Sequence, residues 1–136
     1  MHETTHVLGF SSGNFYNFID NQNQTIPDSA VLGYKYYSSG YQYKNATMLI
    51  TPKVKEKVRE HFGCDTLEGA ELEDGGDTSG TAGSHWEKRL FNSEYMIGQS
   101  STYPALSELT LAAFEVLFEL SFILLTHAIG QWMVCR

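Results

Sequence analysis

His2-Glu3-Thr4-Thr5-His6-Val7-Leu8-Gly9 stands at the start of the chain and decides how the rest is read. It has the H-E-x-x-H spacing of a zinc-binding helix, followed three residues on by a glycine. Residues i and i+4 of a helix differ by about 40° around the axis and roughly 6 Å along it. His2 and His6 therefore share one face, and two imidazoles on that face can meet at one metal about 2.0–2.1 Å from each nitrogen. Glu3, beside the first histidine, can reach a metal-bound water without ligating the metal, and such a water has a lowered pKa. Gly9 can take positive φ, end the helix and turn the chain away.

A site of this kind needs a third ligand. In one large class of such helices it is a histidine three residues after the glycine, and here that position is Ser12. Either the third ligand lies far downstream or there is no site. The remaining histidines are His61, His85 and His127. His85 follows Gly80-Thr81-Ala82-Gly83-Ser84, whose small residues let the backbone approach a metal closely, and precedes the bulky Trp86. Met96 lies shortly after, placed as a methionine turn would be. His61 and His127 have simpler readings, as a helix-end imidazole suited to the helix dipole and as a core or interface residue.

These segments, together with Ile50-Thr51-Pro52-Lys53-Val54, His61-Phe62-Gly63-Cys64, Leu67-Glu68-Gly69-Ala70-Glu71-Leu72-Glu73, Gly83-Ser84-His85-Trp86-Glu87-Lys88-Arg89 and Asn92-Ser93-Glu94-Tyr95-Met96, resemble the leishmanolysin family of zinc metalloproteases. They run in that family's order and cover roughly residues 2 to 114. The resemblance implies an α+β, partial metzincin-like zinc peptidase domain: an active-site helix, a long insertion and a C-terminal helical subdomain. It implies that His2, His6 and His85 ligate one Zn2+, that Glu3 is the general base, and that Met96 packs beneath the metal as the Met-turn residue. It further implies protein or peptide substrates and an extracellular or membrane-associated setting for a full-length protein. The alternative is a catalytically inactive remnant acting in binding, cell adhesion or membrane association.

Composition bounds the rest. The chain has 136 residues, 9 Lys+Arg against 16 Asp+Glu, and a formal net charge of −7. One domain at most is expected, and the acidic balance with no basic stripe argues against nucleic acid as a partner. Two cysteines, Cys64 and Cys135, permit one disulfide, which spacing alone does not establish. Asn23-Gln24-Thr25 and Asn45-Ala46-Thr47 are glycosylation sequons. No signal peptide precedes Met1-His2-Glu3, so the expectation is a truncated chain: residues 1–114 as a partial peptidase domain and 115–136 as a divergent apolar, helical segment.

Local signals fill in the path. Residues 11–29, rich in Ser, Asn and Gln, read as loop. The tyrosine-rich Val31–Ile50 stretch, broken by Ser38-Ser39-Gly40, reads as two short strands or an extended excursion, its tyrosines half-buried. Thr51-Pro52 starts a helix with Thr51 as N-cap and Pro52 at N1. Val54, Val58 and Phe62 form its apolar face, and Gly63 stops it. Residues 65–83, acidic and glycine-rich, read as a solvated loop that folds back to deliver His85. Ser107 is a candidate N-cap for a helix carrying Leu109, Ala112, Ala113, Val116, Leu117 and Leu120. The uncharged run from Leu120 to Val134 has 15 residues, below the about 20 that a membrane-spanning helix needs.

Overall fold

The helix that carries the motif is short, because Gly9 ends it. In the computed structural model, which describes residues 2–20, 24–39, 42–74, 80–99 and 101–118, helix α1 spans His2–Val7. The Phe10 amide returns to the Thr5 carbonyl at 3.2 Å, and Gly9 takes φ 126°, a backbone region that side chains disfavour. The chain then makes a 3-10 turn at Phe15–Asn17 and a four-residue helix α2, Asp28–Val31. This corrects the reading of residues 11–29 as plain loop. Phe15 and Phe18 are fully buried, and each stacks edge-to-face on the next aromatic, with centroids 5.5 Å apart for both Phe10–Phe15 and Phe15–Phe18. Phe15-Tyr16-Asn17-Phe18-Ile19 is an apolar cluster too short, within a polar stretch, for pattern reading to set it apart from loop.

Strands β1, Leu32–Ser39, and β2, Gln42–Leu49, form an antiparallel hairpin with Leu32 opposite Leu49 and Ser39 opposite Gln42. Its base enters the core, and Ala46 and Met48 farther along β2 are buried as well. Leu32 and Leu49 are buried, whereas Tyr34 is 72% and Tyr36 63% exposed, well beyond the half-buried surface expected of them. Helix α3, Pro52–Phe62, begins and ends as the sequence requires: Pro52 sits in the first turn, and Gly63 closes it in the left-handed region at φ 60°. Thr51 starts the helix through its carbonyl, which accepts from the Lys55 amide at 2.9 Å. Its hydroxyl makes no capping bond and is buried without a partner. Val54 and Val58 are buried, while Phe62 turns outward against Phe91, centroids 5.6 Å apart.

The acidic stretch after α3 is not simply a solvated loop. Ala70–Glu71 is strand β3, pairing with β2 through Met48 opposite Glu71. Ala70, Glu71 and Leu72 are all buried. The Glu71 carboxylate is satisfied there by the Arg89 guanidinium at 2.7 Å and the Tyr37 hydroxyl at 2.5 Å. Pairing with Glu71 also pushes the Tyr37 hydroxyl, already raised by burial, up to about 12. Two further helices follow, α4 at Lys88–Phe91 and α5 at Glu108–Phe118. Ser107 caps α5, its hydroxyl accepting from the Leu109 amide at 3.1 Å. Leu109, Ala112 and Ala113 face the core. No helix among the described residues is long and apolar enough to cross a membrane. His127, Cys135, the uncharged run 120–134 and the Asn23 sequon lie outside the described residues.

Small helices around a three-stranded antiparallel sheet make this an α+β arrangement. Its centre is Trp86, fully buried, with Phe10 edge-on at 4.8 Å and Phe91 at 5.8 Å. The Trp86 indole donates to the Thr110 hydroxyl at 2.8 Å, and Thr110 in turn donates to buried Glu94. Core and polar network converge on this one side chain. Trp86→Ala is expected to destabilise the chain by about 3–5 kcal/mol in denaturant unfolding, whereas Tyr34→Ala, on the projecting hairpin, should stay within about 0.5 kcal/mol.

Candidate metal centre

Three histidines from two distant parts of the chain meet at one point. The Nε2 atom of His85 lies 3.2 Å from that of His2 and 3.1 Å from that of His6. Ring centroids are 4.9 Å apart for His2–His6, 5.3 Å for His2–His85 and 4.7 Å for His6–His85. The helical spacing supplies the first pair. The third arrives because residues 71–73 and 94–97 hold the His85 segment from both sides. The Glu73 amide donates to the His85 carbonyl at 2.8 Å, the Glu87 amide to Glu71 at 3.0 Å, and the Trp86 amide to Met96 at 2.8 Å.

The other ring nitrogen of each histidine is committed. Nδ1 of His2 lies 3.0 Å from the Tyr95 carbonyl, that of His6 2.7 Å from the Phe10 carbonyl, and that of His85 3.0 Å from the Thr81 carbonyl. A carbonyl only accepts, so each Nδ1 must carry the proton, and each neutral ring then points a bare Nε2 lone pair inward. Bare lone pairs cannot hydrogen-bond to one another, although His85 Nε2 stands only 3.1–3.2 Å from the other two. A cation between them would turn that repulsion into ligation, and the three together could hold a metal ion. Nitrogens about 2.0–2.1 Å from a shared tetrahedral metal stand roughly 3.3–3.4 Å apart, so the observed spacing fits such an ion. The all-imidazole donor set suits zinc, copper, iron or nickel rather than calcium or magnesium.

Electrostatics favour the ligating form. Burial pushes His85 below its usual range. The Thr81 carbonyl opposes that shift, and the neighbouring His6 and His2 add to it. A depressed pKa means that protons compete less for Nε2. The histidines open onto a cleft of about 850 Å³ whose wall also includes Glu3, Tyr95 and Thr81. Glu3 is exposed on the flank of α1, within the cleft and outside the histidine cluster. Met96 is fully buried in the segment whose Tyr95 carbonyl orients His2. His61, by contrast, stands at the exposed end of α3 with its ring against Phe62 and Phe91, away from the cluster.

A sequence profile described as leishmanolysin matches residues 1–123. The chain belongs to the leishmanolysin family. This is a family of metallopeptidases, and curated relatives carry the same name. The leishmanolysin-like peptidase of Caenorhabditis elegans is 37% identical over 139 aligned residues, covering 84% of this chain and 21% of the relative. That of Drosophila melanogaster is 36% identical, covering 84% of this chain and 20% of the relative. The leishmanolysin homolog of Crithidia fasciculata is 38% identical over 116 residues, covering 84% and 15% respectively. The chain thus spans about a fifth of the length of the curated relatives it matches.

Sequence reasoning missed the three carbonyls that fix the tautomers, because backbone acceptors leave no trace in residue identity. It also missed the buried Glu94–Thr110–Trp86 network. One signal was available, the glycine after the second histidine. Positive φ at Gly9 lets the chain double back and set the Phe10 carbonyl against His6. Gly9→Ala forces a residue with a Cβ into a disfavoured region and displaces that carbonyl. Metal affinity should fall by about 10–100-fold, read by titration against a competing chelator.

Proposed function

We propose that this chain holds the catalytic zinc of a metalloendopeptidase and that His2, His6 and His85 are its ligands. The observation that carries the reading is the convergence of three Nε2 lone pairs beside a carboxylate, Glu3, in one open cleft. Three protein ligands leave a fourth position for water or substrate, the arrangement of a catalytic rather than a structural zinc site. Bound zinc supplies Lewis acidity toward a scissile carbonyl and a lowered pKa for water.

The chain's own residues do the rest. Glu3 takes the proton of the attacking water and returns it to the departing amine. The Tyr95, Phe10 and Thr81 carbonyls keep the three imidazoles in one tautomer throughout. Met96 serves as the Met-turn residue, buried packing rather than a ligand. The cleft, about 850 Å³ and open to solvent, has room for a few residues of an extended peptide, so protein or peptide is the substrate class. The architecture on this reading is metzincin-like, with residues 1–114 forming part of the peptidase domain.

The test separates chemistry from binding. In a full-length form of this protein, Glu3→Gln should bind zinc as before yet lose peptide cleavage by about 10²–10⁴-fold, because the amide cannot accept the proton. His85→Ala should lose both zinc and activity, and His61→Ala neither. Zinc content by metal analysis and cleavage of an unfolded protein substrate read the two properties independently. Loss of zinc in His61→Ala, or undiminished cleavage in Glu3→Gln, would overturn the assignment.

A further inference from the structure

Ser12 occupies the position where other helices of this type carry their third histidine, and it is not idle. Its backbone amide donates to the Ser84 hydroxyl at 3.1 Å, and the Ser84 hydroxyl donates to the Ser12 hydroxyl at 3.2 Å. Ser84 immediately precedes His85. Two bonds therefore join the exit of the helix bearing His2 and His6 to the residue before the third member of the cluster, 72 positions along the chain.

The local backbone is shaped for this contact. Gly83 takes φ 70°, and a Cβ placed there would lie 3.2 Å from the Ser12 Cβ, tighter than an ordinary packing contact. Both the absence of a side chain and the left-handed turn at 83 are needed to bring Ser84 against Ser12. The Ser84 amide also donates to the Thr81 carbonyl at 3.2 Å, the same oxygen that orients His85 Nδ1 at 3.0 Å. Ser84 thus holds both ends of the device, the turn that aims His85 and the helix exit that fixes where His85 must go.

We propose that Ser84 is a positioning residue for the metal site, clamping the His85 loop to Ser12 so that the third imidazole reaches His2 and His6. The inference rests on the zinc reading of the same cluster. The clamp lies outside the metal and outside the core: Ser12 is exposed and Ser84 half-buried. Its loss should therefore loosen His85 without weakening the fold. Ser12→Ala keeps the amide donor and loses only the second bond, whereas Ser84→Ala loses both.

The experiment compares the chain with Ser84→Ala, Ser84→Thr, Ser12→Ala and His85→Ala. Three readouts are zinc affinity by chelator competition, the visible spectrum of the Co2+-loaded form, and thermal unfolding without metal. Ser84→Ala should bind zinc about 10–100-fold more weakly, with an altered Co2+ spectrum and an unchanged metal-free melting temperature. Ser84→Thr, which retains the hydroxyl, should recover affinity. Ser12→Ala should stay within about threefold of the parent, because its amide donor remains. If Ser84→Ala binds zinc like the parent while His85→Ala does not, the clamp is overturned and the zinc site stands. A metal-free melting temperature that falls in Ser84→Ala makes the serine a fold element and also overturns the clamp. If His85→Ala binds as tightly as the parent, the zinc reading itself fails.

Discussion

Three imidazole lone pairs aimed at one point, with no proton to share, are the constraint on which the rest of this structure depends. Left alone they repel, and a metal ion between them would relieve it. The arrangement is held by what lies behind each ring. Each Nδ1 is anchored to a main-chain carbonyl, and each carbonyl belongs to a segment fixed by other bonds. Outer partners of this kind set ring orientation and tautomer, and so decide how far ligand geometry is formed before a metal arrives. Burial of His85 acts in the same direction by disfavouring its charged form.

The anchoring segments share one core. Phe10 gives its carbonyl to His6 and its ring to Trp86, and Trp86 directly follows His85. The backbone of Trp86 is tied to Met96, one residue beyond the carbonyl that holds His2. These contacts tie the backbone behind all three histidines to one core. Stability and site geometry are thus carried by the same side chains here, whereas Tyr34 and Tyr36 of β1 stand exposed outside that core. The buried Glu94 carboxylate extends the frame to α5, since Thr110 links it to the Trp86 indole.

What was legible in the sequence was local. His2, Glu3, His6 and Gly9 form a self-contained pattern, and the Pro52 start and Gly63 stop of α3 are explicit signals. His85 was visible only as a histidine in a small-residue context that resembled a family's pattern, because no spacing rule connects position 85 to position 2. Phe15 and Phe18 were hidden in polar surroundings. Residues 70–72 were misread as solvated because composition reports charge and not pairing: Glu71 is buried because Arg89 and Tyr37, far away in sequence, satisfy it. Elements whose causes lie within a few residues could be read, and those whose causes lie across the fold could not.

The central claim is that one zinc is held by three imidazoles and by nothing softer. Zinc-edge X-ray absorption on the zinc-loaded chain tests it most directly. The account predicts about one zinc per chain with three imidazole nitrogens at about 2.0–2.1 Å and a further light atom, with no sulfur in the first shell. A sulfur scatterer at about 2.3 Å, which would implicate a cysteine such as Cys64, or a signal from fewer than three imidazoles, would contradict it.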